Sequence, residues 1–123
     1  MQGAFQTNEI RLAVGSRAFT RDGMFFQNDA APFIDPVFNR LMVPVRVIAE
    51  GLGAHVTWVE ATNTVNILHN NTVLNLTVGV PLPGGMGTPV IVNGRTFVPV
   101  RYIAEMLGTT VLWDEANNAV YIR

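Results

Sequence analysis

The chain has 123 residues, of which 49% are hydrophobic and 14% charged, and its eight basic and nine acidic side chains leave a formal net charge of −1. That length admits one compact domain or two very small ones, the apolar excess excludes disorder, and the balanced charge leaves no basic field for nucleic acid or an anionic membrane. Every basic residue is Arg, and Lys and Cys are absent, which excludes amine and thiol nucleophiles, a P-loop lysine, thiolate metal sites and disulfides.

In chain order, residues 1–8 read as an N-terminal extension and 10–14 as an opening strand. Pro44, by its fixed φ and missing N–H, suits the first position of a helix. Val45, Ile48, Ala49 and Leu52 then recur at the spacing of one apolar helical stripe, and Gly53 supplies a left-handed residue just past its end. Two β-runs follow at 56–58 and 64–67, separated by an Asn-containing turn. Leu74, Leu76 and Val78 alternate with polar residues as a further strand, and the Pro- and Gly-rich stretch 81–89 is a loop. The second half repeats the first: a strand at 95–98, Pro99, a helix carrying Val100, Ile103, Ala104 and Leu107, Gly108, and β-runs at 111–113 and 119–122. No stretch reaches the roughly 18 apolar residues of a membrane span.

A shift of 55 positions superimposes 43–53 on 98–108 and continues through Trp58 on Trp113 to Ile67 on Ile122, which identifies an internal repeat. Upstream the shift becomes 64, because the first copy holds nine extra residues within about 20–36. The chain therefore reads as an α+β protein of two tandem repeats, 9–68 and 71–123, each a small antiparallel sheet packed on one short helix. Each copy is marginal alone, so the two are expected to form one compact unit.

The run from Asn93 to Gly108, followed by Val111, Trp113 and Asp114 and then by residues 119–122, resembles the copper amine oxidase N-terminal domain-like family, known as a stalk domain. The resemblance covers nearly the whole chain. It implies a small antiparallel sheet against one helix, often in tandem, in secreted and cell-surface proteins of Gram-positive bacteria. It implies no catalytic residue and no cofactor, because copper and the quinone of the oxidases belong to a separate catalytic domain. If the natural protein is secreted, its signal peptide is expected to be missing from this chain.

The residues themselves agree with a non-catalytic reading. Copper needs converging imidazoles, and only His55 and His69 are present. Arg46 with Glu50, and Arg101 with Glu105, stand four apart and can pair along their helices. Their recurrence favours a structural role, with each Arg tying its helix to a neighbouring loop or strand carbonyl. Trp58 and Trp113 alternate with Val56 and Val111, so core packing is preferred over a sugar-stacking platform. Pro44, Arg46, Glu50, Gly53 and Trp58, with Pro99, Arg101, Glu105, Gly108 and Trp113, thus form a structural motif. Acids at Asp22, Asp29, Asp35, Glu60, Asp114 and Glu115 fall in turns or loops, where solvated carboxylates ordinarily sit.

The expected function is a non-enzymatic extracellular structural or interaction module: a spacer, a wall-associated domain or a self-assembling unit. Its expected partner is a cell-surface protein or glycan, or another copy joined through sheet edges, with contacts from residues 2–8 or the 81–89 loop. The alternative is a polysaccharide- or peptidoglycan-binding module that uses exposed aromatics among Phe25, Phe26, Phe33 and Phe38, in and just after the insertion.

Overall fold

The computed structural model describes residues 9–123; the N-terminal extension, with the contacts expected of residues 2–8, lies outside the described residues. Twelve strands and two α-helices are present among them. The first copy contributes β1 (Ile10–Ala13), β2 (Ala18–Arg21), β3 (Met24–Gln27), β4 (Phe33–Asp35), β5 (Arg40–Pro44), α1 (Val45–Gly51), β6 (His55–Val59) and β7 (Thr64–His69). The second contributes β8 (Thr72–Thr77), β9 (Val90–Val92), β10 (Arg95–Pro99), α2 (Val100–Met106), β11 (Val111–Asp114) and β12 (Ala119–Ile122). The α+β class and the tandem architecture are those the sequence predicts. The region 20–36, for which no elements are predicted, holds the end of β2, all of β3 and β4, and β4 flanks β5 as β9 flanks β10.

The helices follow from local signals. Val45, Ile48, Ala49 and Leu52 are buried in one copy and Val100, Ile103, Ala104 and Leu107 in the other. Gly53 and Gly108 have φ of 82° and 78°. Around Gly53, the Gly53 and Ala54 amides donate to the Glu50 and Ala49 carbonyls, and Gly108 and Thr109 repeat this with Glu105 and Ala104. Both ends are therefore Schellman caps, which need a left-handed residue that glycine adopts without strain. Pro44 and Pro99 correct the sequence expectation by one position. They are the N-caps, with ψ of 126° and 121°, because proline's φ suits an extended strand end as well as a first helical turn.

The sheets are not built within one copy. Strand order is β11-β12-β1-β2-β3 in one sheet, β6-β7-β8 in another and β4-β5-β10-β9 in the third. The opening strand of each copy thus completes the hairpin of the other. β1 pairs with β12, placing Ile10 opposite Ile122 and Leu12 opposite Val120. β8 pairs with β7, placing Leu74 opposite Ile67 and Leu76 opposite Val65, the equivalent residues in the same register. Between them, β5 and β10 run antiparallel with Val43 opposite Val98, its own repeat counterpart. An approximate two-fold axis therefore passes through that pair.

The exchange leaves one hydrophobic core. Ile10, Leu12, Ile48, Ile67, Ile103 and Ile122 belong to a single buried cluster drawn from both copies and all three sheets. The first described residue meets the last, with Arg123 Nε 2.5 Å from Glu9 Oε2. No buried side-chain polar atom among the described residues lacks a hydrogen-bond partner, as expected where low-dielectric burial makes an unpaired group costly.

Candidate functional site

Each helix covers only part of the hairpin beneath it. A seven-residue helix rises about 10 Å, whereas the five- and six-residue strands β6 and β7 extend about 17–20 Å and the four-residue strands β11 and β12 about 13 Å, so the far end of each hairpin stays uncovered. Trp58 and Trp113 stand there and are 39% and 46% exposed. This corrects the core-packing expectation. The alternation places Trp58 correctly beside buried Val65, its cross-strand partner, but burial depends on how far the helix reaches.

Both indoles line clefts, and the repeat relates the two. The first, of about 730 Å³, is lined by Pro44, Arg46, Val56 and Trp58 of copy one and by Gly94 and Arg95 of copy two. The second, of about 320 Å³, is lined by Pro99, Arg101, Val111 and Trp113 of copy two and by Asn39 and Arg40 of copy one. Each cleft therefore takes its indole from one copy and a strand-borne arginine from the other, a consequence of the β5–β10 pairing.

Arg46 and Arg101 do not tie their helices to a carbonyl as expected. They pair along their own helices, with Glu50 at 3.1 Å and Glu105 at 3.7 Å, and more than half of each side chain is exposed. Such pairs contribute only about 0.3–0.5 kcal/mol each. The residues that reach across to a loop are Arg40 and Arg95, which sequence reasoning did not single out although they match at the 55-residue shift. Arg40 Nε donates to the Gly85 carbonyl at 3.1 Å. Gly87, at φ 110°, permits the close approach of that loop, because a Cβ there would meet Pro99 Cγ at 2.9 Å and Arg40 Cγ at 3.5 Å.

Arg95 instead meets a carboxylate. Its Nε lies 2.8 Å and 2.9 Å from the two oxygens of Asp29, and a terminal nitrogen also donates to Oδ2. That hydrogen bonding holds the Asp29 carboxyl below its ordinary value and raises Arg95 above its own.

The four phenylalanines do not converge. Phe25, 82% exposed, and Phe26 are neighbours on edge strand β3 and point to opposite faces. Phe26 stacks on Phe19 at 5.6 Å under the Arg21 guanidinium. Phe33 packs edge-on against buried Phe97 at 5.0 Å in the central sheet, and Phe38 lies exposed in the β4–β5 turn. His55 is exposed on β6, and His69 Nε2 lies 3.1 Å from the Leu52 carbonyl at the end of α1. Among the described residues no three His, Cys, Asp or Glu side chains converge to hold a metal ion, and no helix is long and apolar enough to cross a membrane.

Compared with known families, the chain matches the model described as copper amine oxidase N-terminal domain over residues 6–67, 20–82 and 86–122. The first match includes β1 at its start and the second ends beyond β8, the strand that completes the same hairpin in space. Neither the curated proteins nor the solved structures gave a match.

Proposed function

The chain belongs to the copper amine oxidase N-terminal domain family, and from that premise we propose that it is a non-enzymatic structural and interaction module of a secreted or cell-surface bacterial protein. The family's domain is non-catalytic. One observation carries the reading: most of the apolar residues and glycines repeated between the copies serve the shared core and the helix caps. Ile48 with Ile103, Ala49 with Ala104, Leu52 with Leu107 and Val65 with Val120 are buried pairs, and Gly53 and Gly108 are the paired caps. A chain whose duplicated residues build a closed scaffold suits a spacer, a wall-associated unit or an assembly unit.

Open sheet edges favour the assembly form. The outer edge of β1 is covered by β2, but β8 ends its sheet, as β3 ends the other. An unpaired edge presents backbone donors and acceptors to a further strand, and addition of β3 to β8 of another copy would be head-to-tail and open-ended.

Two measurements test this. Fractionation of the producing bacterium with an antibody should place the protein in the wall or medium, and confinement to the cytosol would overturn the surface role. Light scattering after size exclusion should show species larger than one chain as concentration rises. A strict monomer at high concentration would remove self-assembly and leave the spacer.

A further inference from the structure

We propose that the cleft beside Trp113 binds a carboxylate-bearing saccharide, with the carboxylate on the terminal nitrogens of Arg40, the counterpart of the arginine that the chain's own Asp29 occupies in the other cleft. The proposal deepens the interaction role above and rests on it. The repeat makes each cleft a reference for the other. At Trp58 the equivalent arginine, Arg95, is occupied by both oxygens of Asp29. At Trp113, Arg40 donates one N–H to the neutral Gly85 carbonyl, and among the described residues no carboxylate lies within ion-pair distance of it.

Asp35 stands opposite Arg40 in the β4–β5 register, but its Oδ1 accepts the Val37 N–H at 3.1 Å. Arg101 is also held more loosely than its counterpart, 3.7 Å from Glu105 against 3.1 Å for Arg46 and Glu50. A guanidinium has five N–H donors in a planar fork that matches a carboxylate, so most of the capacity of Arg40 is unused.

The remaining wall selects the body of the ligand. Trp113 is 46% exposed and offers a flat apolar face with a polar edge, which suits the C–H face of a pyranose ring. A volume of about 320 Å³ lies at the small end of ligand sites, enough for one or two sugar rings. A neutral sugar offers Arg40 hydroxyl acceptors but no charge and no carboxylate fork, and an oligoglutamate has the charge but no rigid C–H ring face to lay on the indole.

The test titrates the full chain with two acidic probes and their neutral partners: N-acetylglucosaminyl-N-acetylmuramic acid against chitobiose, and trigalacturonate against its methyl ester. Indole N–H signals report which cleft is used, and calorimetry gives affinity and stoichiometry. At least one acid should bind one per chain and shift the Trp113 signal while Trp58 stays in place. Its neutral partner should bind at least ~10-fold more weakly, the scale of a charged hydrogen bond. Arg40→Gln should abolish that preference, and Trp113→Ala should weaken acid binding at least ~10-fold, with the unshifted Trp58 signal reporting an intact fold. Asp29→Ala, which frees Arg95, should raise the stoichiometry to two and bring Trp58 into play.

Binding by neither acid, equal binding of acid and neutral partner, a preference that survives Arg40→Gln, or equal binding of triglutamate would overturn the proposal. A stoichiometry that stays at one in Asp29→Ala would overturn the equivalence of the clefts. None of these failures alters the fractionation or light-scattering result, so the two readings fail separately.

Discussion

The two copies agree throughout the shared interior, whereas their differences lie at the surface, among exposed repeats such as Arg46 with Arg101 and Trp58 with Trp113 that stay alike. In the interior, Val43 meets Val98 across the axis, and Ile67–Leu74 and Ile122–Ile10 pairs occupy equivalent registers. Backbone contacts outside the sheets repeat as well. The Val14 amide donates to the Asn118 carbonyl, and the Val78 amide to that of Asn63, both at 2.9 Å. On the outside, copy one grows the β2–β3 hairpin beside β1, whereas β8 keeps a bare edge. Arg95 meets a carboxylate where Arg40 meets a carbonyl. A buried position must satisfy close packing from both sides, which holds the duplicated core alike; a surface position is free of that constraint, so the differences collect there.

The largest test of that symmetry removes one exchanged strand. Deleting residues 1–13 takes Ile10 and Leu12, both nearly inaccessible, out of the core and should abolish cooperative unfolding of the whole chain in circular dichroism. Loss confined to the β11–β12 hairpin would show that the copies are independent. As the complementary arm, a circular permutant opened between Asn70 and Asn71 and joined through Arg123 and Glu9 should retain the fold, because β8 would then stand to β7 across a chain break as β1 now stands to β12.

Next in size, Ile48→Ala and Ile103→Ala should each cost about 2–5 kcal/mol in one denaturation transition. Two separate transitions would break the shared core. Gly53→Ala and Gly108→Ala should cost about 1–2 kcal/mol each, the strain of an L residue in the left-handed region, and a clear inequality between them would mark a difference between the caps.

Smallest is the effect of the exposed Asp29–Arg95 pair. Because Asp29 is held below its ordinary pKa chiefly by its hydrogen bond to Arg95, the stabilisation is present above the unfolded-state value and is lost as pH falls through the folded one. The stability difference between the native chain and Asp29→Asn should therefore be measurable near neutral pH and vanish in acid. A difference independent of pH would assign it to something other than the ion pair.

Much of the fold was legible because its signals are local. The apolar stripe of Val100, Ile103, Ala104 and Leu107 needs only four turn-related positions, and the Schellman ends need one glycine each. The αL residues Asn63 and Asn118 close the predicted hairpin turns with φ of 52° and 47°. The strand exchange had a signal too. Asn70 and Asn71, with φ of 47° and 68°, form the two-residue connection between β7 and β8, a tight turn that commits β8 to copy one. With β8 taken, β12 has no following strand in the described chain, and β1 fills its place. The clefts were less legible: the repeat marks Arg40 and Arg95 as equivalent, but their loop partners are distant in sequence.

The sequence by itself determined the repeat, the secondary structure of its main elements, the apolar faces, the caps and the family, because each is written in a few neighbouring residues or in their recurrence. Only the tertiary structure decided that β1 closes onto β12, that the tryptophans stand at cleft mouths, and which arginine is occupied by the chain's own carboxylate. Those outcomes depend on helix reach, chain closure and contacts between residues such as Arg95 and Asp29, 66 positions apart, which no local periodicity encodes.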